Sequence, residues 1–554
     1  MNHSQNVIVK KPKYVFVSGG VISGIGKGVT TASLALLLKK QGYSVCLVKC
    51  ENYLNVDSGT INPIEHGDVF LTNDGLEADM DLGTYERFLD VEMGYSNYIT
   101  LGQVYKTVID RERAFGYEGR TVEPVEAVAS EIIGRIKASQ VETQADIVVI
   151  ELGGTAGEYQ NIMYYEASRM MKYRYDEEVL HVHVAYAPIP LHLGEPKSKP
   201  IQLSVKTLNG LGIQPDFIVV RSETVFDEKR REKLSMYCNL KSRDIISNPD
   251  LATIYELPLI FNDQDFSQKV LDKFNLPHKE LKLKDWETLV EKIKSKKSKV
   301  TKIAIVGKYF ATGEYHTADS YASLLESINH ASWALNTKIE LKYINSEKQE
   351  DNISELLSDV DGIIVPIGWG NRGAEGKIKA IQIAREKKIP YLGLCYGMQL
   401  ACVEFARNVM GMKNANTTEN DPDTKYPIIH QIPEEERYVR IKSKGVSMRL
   451  GGFDCLVKPK SLVSKIYSKK ELISERHRHR FEFNNEYREA FEKEGFIFSG
   501  TSPDNFFVEM IELPQTMHPF FVATQAHPEY KSTPLRPHPM FLEFINACKN
   551  ETIL

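Results

Sequence analysis

The sequence predicts an α/β protein with two doubly wound domains, each built on a parallel sheet covered by helices. In the first half, short apolar runs typical of buried strands (SVCLVKC, DIVVIEL, VLHVHVAYAPI and DFIVVRSE) alternate with segments of helical period. A second series of such runs (KIAIVGKY, IELKYIN, GIIVPIG, PYLGLC and FFVATQAHPEY) starts at residue 302. Between them lies a charged, lysine-rich helical stretch. We therefore expect a first domain over residues 1–284, a linker over 285–301 and a second domain over 302–554.

Composition argues against several other classes of protein. The 554 residues are 42% hydrophobic and 26% charged. The chain has 69 basic and 74 acidic residues, so it lacks the overall excess of positive charge that is typical of nucleic-acid-binding proteins. The N-terminus, MNHSQNVIVKKPK, has no apolar h-region, and no run of about 18 apolar residues occurs, so we expect neither secretion nor a membrane span. Seven cysteines without C-x-x-C spacing favour a reducing compartment, the cytoplasm, with Cys46 and Cys50 in the core.

A glycine-rich loop, FVSGGVISGIGKGVTTAS, joins the first predicted strand to the first predicted helix. Such a turn binds anions, because backbone N–H groups and a helix N-terminus meet there. A P-loop of the form G-x-x-x-x-G-K-[ST] ends with a hydroxyl that binds Mg²⁺, but here Gly28 follows Lys27. Three interpretations are open: a damaged nucleotide site, a chance glycine-rich turn, or a phosphate loop whose metal ligands come from elsewhere. The flanking strand and helix favour the third.

The second domain contains a candidate nucleophile. The segment PYLGLCYGMQLACVEFA predicts a strand, a tight turn and a helix with Cys395 at the apex, the thiol counterpart of a G-x-S-x-G elbow. Much later, AHPEY places His527 and Glu529 two residues apart, on one face of an extended segment. A base oriented by a carboxylate would complete a Cys-His-Glu triad.

Together these features resemble the class I glutamine amidotransferases. The resemblance implies attack of Cys395 on the amide of glutamine, a glutamyl thioester and release of ammonia. In VPIGWGNRGAEGK, Gly368 matches the oxyanion turn, although Ile367 stands where the family usually has a second glycine. The glutamine-binding positions implied by the resemblance are Gly368, Tyr396, Gly397, Met398, Gln399, Glu419 and, from the segment ERHRHRFE, Arg480.

Longer motifs in the first domain resemble the CTP synthase family, and the resemblance runs from about Tyr14 to Leu535. The motifs are KCENYLNVDSGTINPIEHGDVFLTNDGLEADMDLGTYERF, ELGGTAGEYQN and GEPKSKPIQLSV. The resemblance implies a P-loop synthetase domain of the dethiobiotin-synthetase-like group, followed by the amidotransferase domain. N-P-I-E-H-G in place of S-P-x-Q-H-G, and G-E-Y-Q-N in place of G-D-I-E-S, indicate a divergent bacterial branch.

The resemblance also implies where the metal ligands are. Mg²⁺ would be held by Asp81 and Glu151, so no hydroxyl is needed after Lys27, and Lys27 and Lys49 would neutralise the transferring γ-phosphate. The ATP-binding positions are Gly24, Ile25, Gly26, Lys27, Gly28, Val29, Asp81, Arg221, Pro249, Asp250 and Leu251. The UTP- or CTP-binding positions are Ser23, Glu158, Tyr159, Gln160, Lys197, Ser198, Lys199, Pro200, Ile201, Gln202 and Lys233. His66 and Val69 match positions at a constriction of the family's ammonia tunnel.

The activity implied is ATP-dependent amination of UTP at C4 through a 4-phosphorylated intermediate, with ammonia from glutamine carried between the domains. The resemblance further implies a homotetramer and GTP as an allosteric activator, and it leaves filament formation open. The segment NDPDTKYPIIHQIPEE departs from the common pattern, so the GTP dependence of this chain is open as well.

Two rival functions remain at this point. One is another P-loop, glutamine-dependent amidoligase that acts on a carboxylate and has no need of UTP. The other is a catalytically silent regulatory homologue, for which Ile367 and the segment G-E-Y-Q would be symptoms. The presence of Cys395, His527, Lys27 and Asp81 argues against loss of catalysis.

Overall fold

The computed structural model describes residues 11–61, 67–192, 194–297, 299–310, 318–433 and 448–549. It divides into two compact units, one formed by Met1–Thr60 and Asp81–Val290, the other by Ile61–Met80 and Glu291–Leu554. In the described part of the chain, no helix is both long and apolar enough to cross a bilayer.

The elements are numbered in chain order. The strands are β1 (Lys13–Gly20), β2 (Val45–Glu51), β3 (Phe70–Leu71), β4 (Glu77–Ala78), β5 (Tyr98–Thr100), β6 (Ile147–Leu152), β7 (Glu178–Tyr186), β8 (Phe217–Ser222), β9 (Ile245–Pro249), β10 (Val300–Gly307), β11 (Lys338–Asn345), β12 (Gly362–Val365), β13 (Tyr391–Leu394), β14 (Ala415–Thr417), β15 (Tyr426–Gln431), β16 (Arg449–Val457), β17 (Leu472–His479), β18 (Phe481–Phe483), β19 (Ile497–Thr501), β20 (Val508–Glu512) and β21 (Phe521–Thr524). The helices are α1 (Lys27–Lys40), α2 (Met80–Leu89), α3 (Leu101–Arg113), α4 (Pro124–Thr143), α5 (Ile162–Tyr173), α6 (Lys199–Gly210), α7 (Glu228–Cys238), α8 (Leu257–Asn262), α9 (Phe266–Lys273), α10 (Lys284–Lys294), α11 (Ala322–Ala334), α12 (Ile353–Leu356), α13 (Ala374–Lys387), α14 (Tyr396–Asn408), α15 (Leu462–Ile466), α16 (Arg488–Lys493) and α17 (Pro539–Cys548).

The first unit is built on a parallel sheet with the strand order β5-β2-β6-β1-β7-β8-β9. The central strand β1 pairs with β6 and β7, with Val15 opposite Val149 and Leu180. Every residue of β1 is buried. A strand covered on both faces needs a continuous apolar run, which YVFV supplies. Because parallel strands end at the same edge, the loops that carry the predicted nucleotide residues start close together.

Helices pack on both faces of this sheet. Tyr14, Phe16, Val48 and Ile150 form one apolar cluster with side chains of α3, α4 and α5. Since successive strand residues point to opposite faces, Val15 and its counterparts face away from this cluster. Helix α1 packs along β1, β2 and β6. This is the doubly wound arrangement that the alternating sequence pattern predicts, and the prediction is confirmed.

Helix α10 lies in the stretch predicted as a linker. Its Trp286 is fully buried, and the indole Nε1 donates to Tyr255 O at 2.7 Å. The Trp286 ring also packs against Phe88 in the first unit. Trp286 therefore attaches the start of the charged stretch to the first unit. The predicted domain boundaries stay a prediction.

The second unit contains a mixed sheet with the order β11-β10-β12-β13-β21-β20-β19-β16-β17. The strands from β11 to β21 in this order are parallel, and those from β21 to β17 are antiparallel. The parallel strands are those that the sequence pattern predicts, whereas it did not identify the antiparallel ones. Cys395 follows β13 and His527 follows β21, and these strands are neighbours.

The segment Ile61–Met80 belongs to the second unit, although it precedes most of the first unit in sequence. It forms the hairpin of β3 and β4, with Phe70 opposite Ala78. Phe70 packs edge-on against Tyr530, with ring centroids 5.4 Å apart, and Arg476 Nη1 donates to Leu71 O at 2.9 Å. These contacts connect the hairpin to the residues that follow His527.

Candidate active sites

The first candidate site lies at the turn between β1 and α1. Because the helix begins at Lys27, its free backbone N–H groups face the carboxyl edge of the sheet. Gly24 and Gly26 have left-handed conformations, with φ of 70° and 81°. Lys27 Nζ donates to Gly154 O at 2.8 Å. Burial lowers the pKa of Lys27, and the carboxylate of Glu151 acts in the opposite direction.

The space around Gly28 explains why no serine or threonine follows Lys27 in this loop. A Cβ atom at position 28 would lie 2.4 Å from Asp81 Oδ1 and 3.6 Å from Glu151 Oε2. A serine or threonine would therefore collide with the Asp81 carboxylate. The predicted metal ligands approach the helix start where a P-loop hydroxyl would otherwise lie, and carboxylate oxygens suit Mg²⁺. The residues present thus fit a divalent cation bound beside phosphates.

Lys49 joins the two predicted metal ligands. Its Nζ lies 2.8 Å from Glu151 Oε1 and 3.3 Å from Glu51 Oε1, and it also donates to Asp81. Burial alone would lower the pKa of Lys49, but the carboxylates of Asp81, Glu151 and Glu51 outweigh burial and raise it well above its ordinary value. Although burial opposes it, the Lys49 charge lowers the pKa of Asp81. The Tyr85 hydroxyl donates to Glu151.

Residues predicted to bind ATP from three separate segments meet in one cavity of about 240 Å³. Its lining consists of Gly24, Gly26, Val29, Arg221, Asn248, Pro249, Leu251, Ile254 and Leu257. Asp250 pairs with Arg221 at 2.5 Å, beside the cavity. Ile25 is only 3% exposed, so its side chain packs inward under the loop. Apolar side chains and the Arg221 guanidinium therefore line the cavity next to the anion-binding turn.

The predicted UTP segment K-S-K-P-I-Q surrounds the start of α6. Gln202 Nε2 donates to Ser198 Oγ at 3.1 Å, and Lys197 Nζ pairs with Glu195 at 2.5 Å. Ile201 is fully buried, so its side chain belongs to the core beneath the helix. The polar members of the segment thus lie at the helix N-terminus, where an anion is favoured.

The other predicted UTP residues lie on neighbouring elements. Lys199 and Pro200 are the first residues of α6, and proline at this place needs no N–H partner. Lys233 is exposed on α7, which packs against α6. Ser23 is exposed in the P-loop turn. The structure brings Lys199 and Lys233 to adjacent helices, while Ser23 belongs to the ATP loop.

The turn G-E-Y-Q-N is held by the Glu158 carboxylate. Glu158 Oε1 accepts bonds from the backbone N–H and the hydroxyl of Thr155, both at 2.7 Å. Glu158 Oε2 accepts from Asn52 Nδ2 at 3.1 Å and from Gln160 Nε2 at 3.0 Å. Tyr159 is 92% exposed. Glu158 therefore shapes the turn, and Gln160 and Tyr159 present their side chains at the surface.

The second candidate site is the turn after β13. Cys395 has φ 51° and ψ −101°, a strained conformation for a residue with a side chain, and its N–H donates to Thr524 O at 2.7 Å. A Cβ on Gly397 would lie 2.0 Å from Val365 O, so only glycine allows α14 to start this close to β12. The predicted strand, tight turn and helix around Cys395 are present, and the role of Cys395 as nucleophile stays a prediction.

His527 and Glu529 form the predicted base and carboxylate pair. His527 Nδ1 lies 2.8 Å from Glu529 Oε1, and His527 N donates to Arg476 O at 2.7 Å. The imidazole is fully buried and stacks on Tyr530, with ring centroids 5.2 Å apart. Burial alone would lower the pKa of His527, but the Glu529 carboxylate and the nearby Cys395 raise it to about 10. Among the described residues, none hydrogen-bonds to His527 Nε2.

Two buried lysines hold the loop that carries Gly368. Lys377 Nζ donates to Pro366 O at 3.1 Å, and Lys308 donates to Trp369 O. A Cβ on Gly368 would lie 2.8 Å from Lys377 Nζ. Burial, together with the charge of Lys308, lowers the pKa of Lys377 to about 7, and burial lowers the pKa of Lys308 to about 8. The loop is thus fixed by side chains bonded to its carbonyl oxygens.

Ile367, the departure from the family pattern, packs against the apolar cluster of the second unit. Its carbonyl oxygen lies 3.5 Å from Lys377 Nζ. The isoleucine is therefore accommodated by the core, and its peptide remains held beside Gly368.

The predicted glutamine-binding residues surround this loop. Glu419 Oε1 accepts a bond from Gly370 N at 2.7 Å, and the Tyr396 hydroxyl donates to Gly370 O at 3.2 Å. Burial raises the pKa of Glu419, and the Gly370 bond and the charge of Lys308 oppose this shift. Met398 is fully buried within α14, so its side chain packs in the core.

The arginines of ERHRHR differ in their surroundings. Arg476 Nε donates to Asn73 Oδ1 at 2.8 Å, and Arg478 Nε donates to Glu77 Oε1 at 2.6 Å, so both bind the β3–β4 hairpin. Arg480 is exposed. The geometry leaves Arg480 available to a ligand carboxylate, and its role stays a prediction.

Of the two predicted tunnel residues, Val69 lies in the described part of the chain. Val69 is 4% exposed and immediately precedes β3. His66 lies outside the described residues. The oligomeric state, GTP activation and the channel likewise stay predictions.

Sequence reasoning missed several residues at both sites, namely Glu51, Tyr85, Lys308, Lys377 and Gln525. Glu51 and Gln525 had a usable signal, because each follows a predicted strand at the edge where the site residues lie. The others occupy ordinary places in helices or at a strand end, and only the tertiary contacts bring them to the sites.

Comparisons with known proteins agree with this geometry. Residues 13–276 match the family described as CTP synthase N-terminus, and residues 316–547 match glutamine amidotransferase class-I. The CTP synthase of Halalkalibacterium halodurans is 46% identical over 537 residues, which is 97% of this chain and 99% of the relative. That of Caldanaerobacter subterraneus is 46% identical over 540 residues, 97% of this chain and 98% of the relative.

A solved structure, the glutaminase domain of Trypanosoma brucei CTPS with bound acivicin, is 37% identical and covers 46% of this chain and 96% of that chain, with a TM-score of 0.42. The two relatives match over nearly the full length of both chains, and the two family matches include the glycine-rich turn and the cysteine elbow. This protein belongs to the CTP synthase family.

Proposed function

We propose that this protein forms CTP from UTP, ATP and L-glutamine, using ammonia released at Cys395. The observation that carries the proposal is the presence in one chain of two sites with different chemistry. One has a phosphate loop next to two carboxylates and Lys49, and the other has a cysteine elbow next to the His527–Glu529 pair. A catalytically silent regulatory homologue does not account for both.

In the glutaminase reaction, the Cys395 thiol gives its proton to His527, Sγ attacks the amide carbon of glutamine to form a C–S bond, and the carbonyl electron pair moves onto oxygen beside Gly368. The oxygen lone pair then returns and the C–N bond breaks. The leaving nitrogen takes a proton from His527, whose pKa of about 10 keeps the ring protonated at neutral pH. Water activated by His527 hydrolyses the thioester, which gives glutamate and the free thiol.

In the synthetase reaction, O4 of UTP attacks the γ-phosphorus of ATP, the uracil ring loses its N3 proton, and the bond to ADP breaks. Lys27 and Lys49 offset the charge of the transferring group. Mg²⁺, held by Asp81 and Glu151, would supply further charge neutralisation at the phosphates. Ammonia then adds to C4, phosphate leaves with the C4–O4 bond pair, and a proton is lost, which gives CTP. Ammonia passes from one site to the other within the protein.

Further parts of the proposal follow the family resemblance. The enzyme acts in the cytoplasm as a homotetramer that binds neither nucleic acid nor membranes, GTP activates glutamine hydrolysis, and Arg480 binds the substrate carboxylate. The cavity of about 240 Å³ beside Arg221 holds the adenine nucleotide. Lys197, Lys199 and Lys233 bind the UTP phosphates.

A single assay tests the proposed function. Purified protein is incubated with UTP, ATP, Mg²⁺ and glutamine, CTP is measured by chromatography, and each component is then omitted in turn. The proposal predicts that CTP appears only with the full set and that ammonium replaces glutamine. ATP hydrolysis that depends on a carboxylate and not on UTP would favour the other amidoligase, and absence of all turnover would favour the silent homologue.

A further inference from the structure

The Cys395 sulfur has a neighbouring hydrogen-bond donor that the triad does not include. Gln525 Nε2 lies 3.6 Å from Cys395 Sγ, and Gln525 is only 1% exposed. Its backbone is fixed as well, because Gln525 N donates to Glu509 O at 2.8 Å. The short segment between β21 and His527 therefore places a rigid amide against the nucleophile.

The surrounding bonds determine which end of the Gln525 amide faces the sulfur. Gln399 Nε2 lies 3.0 Å from Phe481 O and 3.2 Å from Gln525 Oε1. Since a backbone carbonyl can only accept, Gln399 presents its NH₂ group on this side. Its other hydrogen points to Gln525, which must accept through Oε1. The NH₂ group of Gln525 is thereby directed at Cys395.

This direction has a chemical consequence. A donor stabilises an ionised acceptor about twice as strongly as a neutral one, so the Gln525 amide favours the thiolate over the thiol. Arg478 O lies 3.8 Å from Cys395 Sγ and can only accept, so it favours the thiol. The two contacts act in opposite directions on the nucleophile. Once the C–S bond to glutamine forms, sulfur loses its charge and the Gln525 bond weakens.

We propose that Gln525 holds the reactive thiolate of Cys395, and that Gln399 is a positioning residue that acts on the nucleophile through Gln525. The proposal rests on the proposed glutaminase function. It assigns a catalytic contact to a glutamine outside the triad, and it gives Gln399 a role that does not require direct contact with the substrate.

The first test measures the nucleophile without glutamine. Iodoacetamide alkylates Cys395 when sulfur displaces iodide, and mass spectrometry of the Cys395 peptide gives the rate as a function of pH. For Gln525→Leu, we expect a rate about tenfold lower at neutral pH, because sulfur loses the hydrogen bond from the Gln525 amide. Gln525→Glu, which keeps the shape but places a carboxylate against sulfur, is expected to be slower still. Gln515→Leu, at an exposed glutamine, is the matched control.

The second test is a double-mutant cycle on glutamine hydrolysis. If Gln399 acts through Gln525, the double variant Gln399→Leu/Gln525→Leu loses no more kcat/KM than Gln525→Leu alone. If Gln399 instead binds substrate independently, Gln399→Leu raises KM, the two effects add, and the positioning role is wrong.

Ammonia-dependent CTP formation serves as the folding control, because it does not use Cys395. If Gln525→Leu loses this activity too, the alkylation rate of the closer isostere Gln525→Glu tests the proposal in its place. Parental alkylation rates at every pH in a variant that keeps ammonia-dependent activity overturn the proposal while leaving the glutaminase function intact. A parent protein that hydrolyses no glutamine overturns the proposed function instead.

Discussion

The two candidate sites each contain a buried lysine, and the two lysines behave in opposite ways. Lys49 is 4% exposed and Lys377 is fully buried, so both lose the stabilisation of water. Lys49 lies among carboxylates, and its pKa is raised; Lys377 lies against carbonyl oxygens and near Lys308, and burial lowers its pKa to about 7. The chemistry of the neighbouring groups, and not burial, therefore decides whether a buried amine stays charged.

The difference matches the work of each site. A site that meets polyphosphates needs a permanent cation, and Lys49 is kept charged by the same carboxylates that would bind Mg²⁺. The second candidate site instead concentrates its charge at His527, whose pKa is raised to about 10, although burial opposes this. There, Lys377 mainly fixes backbone through its bond to Pro366.

The largest effect is expected at the first site. Lys27→Ala should lower CTP formation by about 10²- to 10³-fold with either glutamine or ammonium, because both routes need phosphoryl transfer. Initial rates with each nitrogen source are the measurement. Lys40→Ala, at the other end of the same helix, is the control. A Lys27→Ala enzyme that uses ammonium at the parental rate would show that the loop is not the ATP site.

Restoring the hydroxyl that the P-loop lacks should reduce activity. In Gly28→Ser, the new Cβ would lie 2.4 Å from Asp81 Oδ1, so the carboxylate must move, and we expect a loss of roughly 10- to 100-fold in ammonia-dependent turnover. Gly134→Ser, where a Cβ meets nothing within 4 Å, is the matched control. Unchanged activity in Gly28→Ser would contradict the account of the metal ligands.

The lowered pKa of Lys377 predicts a pH-dependent stability. Between pH 7 and about 10.5 the unfolded chain holds one more proton at this lysine than the folded chain, so folding stability rises with pH, by up to about 1.4 kcal/mol per unit. Lys377→Met lacks this contribution. The variant should therefore have its largest stability advantage near pH 7, and this advantage should shrink steadily as the pH rises to 9.

Thermal midpoints of the parent and Lys377→Met at pH 7, 8 and 9 check this expectation. Lys379→Met, at an exposed lysine of the same helix, is the control. A constant difference between the parent and Lys377→Met across this range would mean that Lys377 keeps one charge state throughout.

The smallest effect concerns feedback inhibition. The family segment D-I-E reads E-Y-Q here. We predict that CTP inhibits this enzyme about fivefold more weakly than it inhibits the common form of the family, because a neutral amide accepts weaker bonds from sugar hydroxyls than a carboxylate does. Gln160 Nε2 donates to Glu158 Oε2 at 3.0 Å, so Gln160→Glu loses this bond and sets a second carboxylate beside the longer Glu158 side chain. The double variant Glu158→Asp/Gln160→Glu restores the family pair.

Half-inhibiting CTP concentrations for the parent, Gln160→Glu and the double variant test this prediction. We expect the double variant to bind CTP the most tightly, with little change in the KM for UTP. If neither variant is inhibited at lower CTP than the parent, the hypothesis about Gln160 is wrong.

Local patterns predicted much of the fold. The apolar runs of β1, β2, β6, β7 and β8 were readable because strands buried on both faces need uninterrupted apolar sequence. Glycines before a helix predicted the anion-binding turn, and family motifs predicted residues that line the ATP cavity from three distant segments. The antiparallel half of the second sheet was missed, because its strands, including β17 with its charged residues, lack such runs.

Tertiary contacts account for what the sequence could not predict. The collision between a side chain at position 28 and Asp81 depends on how α2 meets α1, and no local pattern encodes it. The β3–β4 hairpin groups with the second unit because Arg476 and Arg478 bind it across about 400 residues of sequence. The place of Gln525 after β21 indicates that it lies near the second site, but its contact with Cys395 depends on the tertiary structure, which brings Nε2 to 3.6 Å from Sγ.

The central claim is that two separate chemistries meet in one chain. Its most direct test is CTP formation by Cys395→Ala with saturating glutamine and, separately, with ammonium. The account predicts that the glutamine-dependent rate falls to background while the ammonium-dependent rate stays within about twofold of the parent, because the phosphoryl-transfer residues are untouched. Equal loss of both rates, or retention of glutamine-dependent CTP formation, would contradict it.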